Sequence, residues 1–166
     1  KNMNKYLLSL TAFLAGTMAM AQVVYTDIPD ETIISTAGNS YPLDMDNNTS
    51  PDLIIYGANI DTTILVPTTF NGAAITTLAT TEVGGFTSTI GTETILEADT
   101  LWNNNTVGPS LSYVNSSTPS VFPGVGIGVT ESALGQSFGE FLGTDDKYLA
   151  VKFDISGSDH FGWVRL

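Results

Sequence analysis

The sequence predicts an all-β domain over residues 22–166, an antiparallel β-sandwich of the jelly-roll kind. Three observations carry this. Thr, Ser, Gly, Asn, Val and Ile dominate the chain beyond residue 21, and β-branched side chains pack well on a pleated sheet while losing rotamer freedom in a helix. Gly, Pro, Asn and Asp break the apolar runs at the short, regular intervals of a sandwich or barrel. Helix patterns are missing. The one stretch that fits, Glu131–Gly143, contains Gly135 and Gly139, and glycine is a poor residue in a helix interior.

Taken in order, Lys1–Ala21 reads as an export signal. Lys1 and Lys5 form its positive end, Tyr6–Gly16 a short apolar run, and Ala19-Met20-Ala21 a small-residue cleavage site before Gln22. The run is shorter than the ~20 apolar residues of a membrane span, so no span is expected in the mature chain. Strands are expected at Val23–Ile28, Thr32–Thr36, Leu53–Tyr56, Thr62–Val66, Ala73–Thr80, Phe86–Ile90, Thr94–Ala98, Ser110–Val114, Gly126–Thr130, Tyr148–Ile155 and His160–Leu166. Asn71-Gly72 predicts a type I′ hairpin turn, because both central residues of that turn need positive φ. Ser156-Gly157-Ser158-Asp159 predicts a second hairpin joining the last two strands. Trp102–Pro109 and Asn115–Gly124 read as solvated loops. The chain starts at Lys1 rather than Met and stops on an apolar strand residue, Leu166. This predicts a fragment of a longer protein, a single domain truncated at its C-terminus.

Removing the signal leaves Lys147, Lys152 and Arg165 as the bases against all 17 acids. Such a surface repels nucleic-acid phosphates and anionic lipid, and favours multivalent cations. The lack of cysteine rules out disulfides, thiolate zinc sites and cysteine nucleophiles. Stability in an exported chain then rests on core packing, a metal or both.

One stretch suits a metal. In Asp44-Met45-Asp46-Asn47-Asn48-Thr49-Ser50-Pro51-Asp52, oxygen-bearing side chains recur at alternate positions between two apolar runs. Calcium takes six to eight oxygens, and alternate carboxylates of a tight loop can converge on it. Asp44, Asp46, Asn48 and Asp52 would ligate by side chain and Ser50 by its carbonyl. The invariant Gly and terminal Glu of an EF-hand loop are replaced by Thr49 and Ile55. The turn is therefore expected to be looser or slightly strained, and another segment or water to complete the shell. Magnesium fits less well because it dehydrates reluctantly and prefers few protein ligands. The plain alternative is a solvated Asx-turn loop.

Other features carry weaker chemistry. The single histidine, His160, lies beside the last turn and is expected to face solvent, and no Gly-x-Ser-x-Gly elbow accompanies it. Glu97 and Asp99 share a strand face by period two. With Glu93 they could serve a sandwich glycosidase, whose paired carboxylates sit ~5–5.5 Å apart when configuration is retained, but solvent-facing strand charges are the simpler expectation. Trp163 alternates with Phe161 and Arg165, while Gly162, Val164 and Leu166 occupy the other face. Either face could be the core, and core packing is the expected place of Trp163. Trp102, among asparagines at a strand–loop junction, is the better sugar platform. Gly124-Val125-Gly126-Ile127-Gly128 lacks the Lys and the following helix of a phosphate loop and reads as strand glycines at a bulge or close approach. Asp61-Thr62-Thr63 and Asp99-Thr100-Leu101 fit a short Asp-Thr-x pattern of O-glycan acceptors.

Leu43-Asp44-Met45-Asp46-Asn47-Asn48 with Pro51-Asp52, and Lys147-Tyr148-Leu149-Ala150-Val151-Lys152-Phe153 with His160-Phe161-Gly162-Trp163-Val164-Arg165-Leu166, resemble a group of poorly characterised exported proteins of Bacteroidota-type bacteria. These carry a D-x-[DN]-x-D-G-x-x-D loop and a terminal K-Y-[IL]-G-[FV]-[RK]-F … Y-G-W-[VI]-R-[LV] hairpin. Thr49 and Phe161 depart from that pattern. The group resembles type IX secretion cargo, and the resemblance implies an extracytoplasmic, secreted or cell-surface β-sandwich without a settled activity. The reading that follows is a non-catalytic module, stabilised by calcium, that binds a glycan or a surface protein. A sandwich glycosidase and a purely structural segment of a larger surface protein are the alternatives.

Overall fold

Alternating β-branched and aromatic runs pair into ten strands in a computed structural model that describes residues 32–33, 38–63, 67–90, 93–101, 106–118, 120, 124–132, 135–143 and 147–166. These are β1 (Ser40–Leu43), β2 (Leu53–Thr63), β3 (Pro67–Thr77), β4 (Glu82–Ile90), β5 (Glu93–Ala98), β6 (Tyr113–Val114), β7 (Val125–Glu131), β8 (Ser137–Phe138), β9 (Tyr148–Ile155) and β10 (Ser158–Arg165). No helix occurs among the described residues. The fold is all-β and sandwich-like, as the composition predicts. The expected signal Lys1–Ala21, the expected strand Val23–Ile28 and Trp102 lie outside the described residues.

The strands run in the order β1-β2-β3-β7-β5-β4-β9-β10, with β8 paired to β7 and β6 to β4. Every pairing is antiparallel except β5 against β7, which meet in parallel at Glu97 and Gly126. β4 belongs to two sheets. Its first residues, Glu82 and Val83, pair with Lys152 and Val151 of β9, and from Gly85 onward it pairs with β5. A strand that changes sheets makes the corner of a sandwich, and here Gly84-Gly85 is that corner. A Cβ on Gly85 would collide with the Glu97 carbonyl oxygen, and one on Gly84 would crowd Ala150.

The main core lies between the two sheets. Leu53, Ile55, Ile75, Leu96 and Val125 of the first sheet face Val83, Leu149, Val151, Phe153 and Val164 of the second. A smaller core on the reverse of the first sheet gathers Ala58, Phe70, Ala74, Ile95, Val129 and Phe138. β7 serves both cores because it carries a bulge. Ala73 pairs with Gly128 and Ala74 with Gly126, which leaves Ile127 as the extra residue. The slip reverses the strand's alternation, so Val125 points into the main core and Val129 into the smaller one. The glycine-rich run thus marks a bulge, as expected.

Two expectations are corrected. Asn71-Gly72 is not a turn but the middle of β3, where Asn71 pairs with Asn59 and Gly72 with Ala58. β2 and β7 flank β3 throughout this stretch, and a Cβ at Gly72 would collide with the Gly128 carbonyl oxygen. The glycine is required by a neighbouring strand rather than by a turn. Trp163 is not in the core. Val164, buried, and Gly162, beside Met45 and Phe153, mark the inner face of β10, leaving Trp163 38% exposed on the outer one. The last hairpin is as predicted: Ser156 and Gly157, with φ of 56° and 84°, join β9 and β10.

Candidate functional site

The acidic stretch is the loop of the β1–β2 hairpin, closed where Leu43 pairs with Leu53 and the Asp52 N–H donates to the Leu43 carbonyl at 2.8 Å. β1 ends the strand order, so the loop sits at a sheet edge. One carboxylate oxygen from each of Asp44, Asp46 and Asp52 lies within 4.8 Å of the others. The loop's own backbone holds them there. Asp44 accepts from the N–H groups of Thr49 (2.8 Å) and Asn48 (3.2 Å), and Asp52 from those of Met45 (2.6 Å) and Asp46 (3.3 Å). Asp46 accepts from the Asn48 N–H at 3.1 Å and from its Nδ2 at 2.7 Å. The Asn48 side-chain oxygen closes an Asx turn on the Ser50 N–H at 2.8 Å. The three acids of the expected ligand set are therefore brought together, with Asn48 bridging Asp46 and Ser50.

Desolvation pushes the Asp44 carboxyl upward, but the N–H groups of Thr49, Asn48 and Asn47 and the neighbouring Asp46 side chain outweigh it, and its pKa lies below the usual 3.8. The expected strain is present: Asn47 and Thr49 have φ of 60° and 74°. Positive φ is tolerated by Asn and is an outlier for a β-branched residue. Thr49 thus takes a glycine-like conformation at the position where EF-hand loops keep Gly. Met45 turns inward between these acids, packs on the main core, and reaches to the inner side of Gly162 on β10. The loop consequently touches both sheets.

A second feature lies on the outer face of β9–β10. Tyr148 and Trp163 stand on neighbouring strands, 37% and 38% exposed, with ring centroids 5.1 Å apart and planes at 84°. Tyr113 of β6 and Phe161 of β10, both half-buried, approach to 6.0 Å. The row Tyr113–Gly84–Ala150–Trp163 explains the arrangement: small residues on β4 and β9 leave room for rings from β6 and β10. Arg165, opposite Tyr148, and Lys152, opposite Phe161, share this face. Lys152 bonds Glu82 at 2.8 Å and lies 3.6 Å from Asp159. The alternation of Phe161, Trp163 and Arg165 is legible in the sequence, but the side it faces is not.

The strand carboxylates are differently placed. Glu97 is half-buried rather than solvent-facing, and its Oε2 accepts the Gly139 N–H at 2.9 Å. Asp99 is exposed, with a pKa raised by desolvation and then by a hydrogen bond to, and the charge of, Glu140. Glu140, which no sequence pattern singles out, also accepts from Thr100 Oγ1 at 2.9 Å. Thr100 is 2% exposed, so its buried, bonded hydroxyl is no O-glycan acceptor. The side chains of Glu93 and Thr62 lie outside the description. His160 is exposed, 6.0 Å from the Phe153 ring. An open hollow of about 250 Å³ between Ala73, Ile127, Phe141, Leu142 and Leu166 falls below the ~300 Å³ at which small-molecule pockets begin.

Compared with family models, curated proteins and solved structures, the chain has no match.

Proposed function

We propose that this chain is a secreted or cell-surface, non-catalytic β-sandwich module that binds a glycan and is stapled by calcium in the Asp44–Asp52 loop. The glycan reading is carried by the exposed Tyr148–Trp163 pair on an outward sheet face. A pyranose ring has a face of C–H groups that stacks on a flat aromatic ring, and its hydroxyls need polar neighbours. Arg165 lies on the same face, as does Lys152 with its ion-pair partners Glu82 and Asp159. Tyr and Trp offer large contact areas with only two rotatable bonds each, so little entropy is lost on binding. A surface protein is the other partner such a face accepts, and it is the outcome to expect if no sugar binds. Affinity electrophoresis through a panel of polysaccharides tests the reading: retardation that Trp163→Ala removes supports it, and free migration through every gel ends it.

Calcium is supported by the chemistry of the donor set. Three carboxylates converge with no nitrogen or sulfur among them, which suits a hard, oxygen-seeking cation. A modest extracellular affinity of ~10⁻⁴–10⁻³ M suffices where calcium is plentiful. Asp44, Asp46 and Asp52 would hold the ion by carboxylate, Asn48 and Ser50 by oxygen. Its role is to fix a loop whose Met45 joins the two sheets. The exported location follows from the signal-like Lys1–Ala21 and the resemblance to type IX cargo. Mass spectrometry of the exported protein should find a new N-terminus at Gln22.

A further inference from the structure

Resting on the glycan reading, we propose that its ligand is an uncharged polysaccharide, laid along the outer face of β9–β10 and read by the Glu82–Lys152–Asp159 cluster. Three strands build that cluster. Glu82 of β4 and Phe161 of β10 both pair with Lys152 of β9, and Asp159 stands two residues from Phe161 on the same face. Lys152 Nζ donates to Glu82 Oε2 at 2.8 Å and lies 3.6 Å from Asp159 Oδ2. The Tyr113–Phe161 ring pair borders these charges. Tyr113 is held by its hydroxyl, which donates to the Gly108 carbonyl at 3.2 Å, and it feels the charges of both Lys152 and Glu82. The side chains of Lys152 and Glu82 are 26% exposed and that of Asp159 is 59% exposed, so the cluster is open to solvent.

The ligand class follows from what such a cluster can bond. An ammonium carries three donors and a carboxylate about four acceptor sites, more than their mutual contacts consume. A hydroxyl both donates and accepts, so neighbouring sugar hydroxyls can bridge a fixed ammonium and a fixed carboxylate. Hydrogen bonds to charged groups are also the stronger kind. An acidic sugar fares badly here. Glu82, Asp154 and Asp159 outnumber Lys152 and Arg165 on this face, and the whole chain carries a net charge of −12. Lys152 already faces two carboxylates, so a further anion, from a uronate or a sulfate ester, would meet repulsion. Spacing sets the length. Asp159 and Trp163 are four residues apart on β10, roughly 13 Å, farther than one sugar ring reaches. A chain of several units touches both the cluster and the Tyr148–Trp163 pair, while a monosaccharide touches one of them.

Affinity electrophoresis of the full chain tests this with gels of two kinds. One kind holds a neutral polymer (a β-glucan, a xylan or a mannan), the other polygalacturonate or chondroitin sulfate. Neutral gels should retard the protein and anionic gels should not, with little change between low and high salt. Asp159→Ala should weaken the retardation by about tenfold or more, the worth of a hydrogen bond to a charged group. Glu82→Gln combined with Asp159→Asn removes two charges but keeps hydrogen-bonding groups, and this double variant should now be retarded by polygalacturonate. A tetrasaccharide of the retarding polymer should displace it at concentrations where the monosaccharide does not. Unchanged circular dichroism would separate these effects from unfolding. Trp163-dependent retardation in anionic gels, alone or as strong as in neutral ones, would keep the glycan reading and overturn the uncharged ligand. Neutral retardation indifferent to both the single and the double variant would overturn the role of the cluster. A monosaccharide that competes as well as the tetrasaccharide would overturn the extended ligand. Free migration through every gel would end the glycan reading itself.

Discussion

The Asp44–Asp52 loop and the outer face of β9–β10 are both unusual surfaces, but they are turned in opposite directions. In the loop, the acids are held by the loop's own N–H groups, Asn47 and Thr49 bend to positive φ to present those groups, and Met45 reaches inward. On β9–β10, the core-facing side is finished by Leu149, Val151, Phe153 and Val164, and aromatic area is left over on the other side. The loop organises itself around a centre; the face offers itself outward. The proposed ion belongs to the first and the proposed glycan to the second.

The largest test of that contrast is calcium. At about a hundredfold over its dissociation constant, an ion binding only the folded chain stabilises it by about 2.7 kcal/mol, a rise in Tm of roughly 5–11 °C for a domain of this size. Scanning calorimetry should show this rise, its loss with chelator, and its absence in Asp46→Ala. Trp163→Ala should keep the whole response. If Asp46→Ala responds like the parent, the loop is only a turn.

The converse substitution tests the face. Truncating a central aromatic of a binding surface costs about 2 kcal/mol or more, so Trp163→Ala should lower glycan affinity by roughly thirtyfold or more. The calcium response of glycan-bound and free protein should stay alike if the two regions act separately. A smaller effect is expected at Thr49. A left-handed residue with a Cβ costs roughly 1–2 kcal/mol, and glycine returns about 0.4–1 kcal/mol of that as unfolded-state entropy. Thr49→Gly should therefore stabilise by about 0.5–1 kcal/mol in urea titration. No gain would mean the loop relaxes its strain elsewhere.

The subtlest test is pH. Asp44 has a folded pKa below 3.8, so its contribution is present above 3.8 and is lost as pH falls through the folded value. Asp99 has a folded pKa above 3.8, so its contribution is complete below 3.8 and is lost as pH rises through the folded value. Without calcium, Asp44→Asn should be less stable than the parent at pH 7 and Asp99→Asn more stable, with both differences closing in acid. Two substitutions of the same sign would show that the carboxylates are not held as described.

The strands most legible in the sequence are those whose alternation and turn chemistry agree. β9 and the Ser156-Gly157 turn show both, and they appear where expected. Asn71-Gly72 shows how local preference loses: a strong turn signal yields when strands on both sides pair through it. The expected strand Phe86–Ile90 starts four residues late, because nothing local in Glu82–Gly85 marks a strand whose two glycines are set by the close approach of Glu97 and Ala150. β1 and β8 are too short to show a period. The acid spacing of the loop was readable because its geometry is local. The Asp99–Glu140 contact and the outward setting of Trp163 were not, since both depend on which strands the fold brings together.

The corner at Gly84-Gly85 has a further consequence for how the molecule comes apart. Since β4 runs through both sheets, opening either one drags on a strand the other is using. The sheets should melt as one cooperative unit, with Val83 and Phe86 amides exchanging through openings of the same free energy. The same continuity orders assembly. β4 finds β5 locally, but its Glu82 end waits for Lys152, 70 residues further on, a long closure whose entropy must be met before the contact returns anything. The corner is therefore expected to close late in folding, after β4 and β5 have paired.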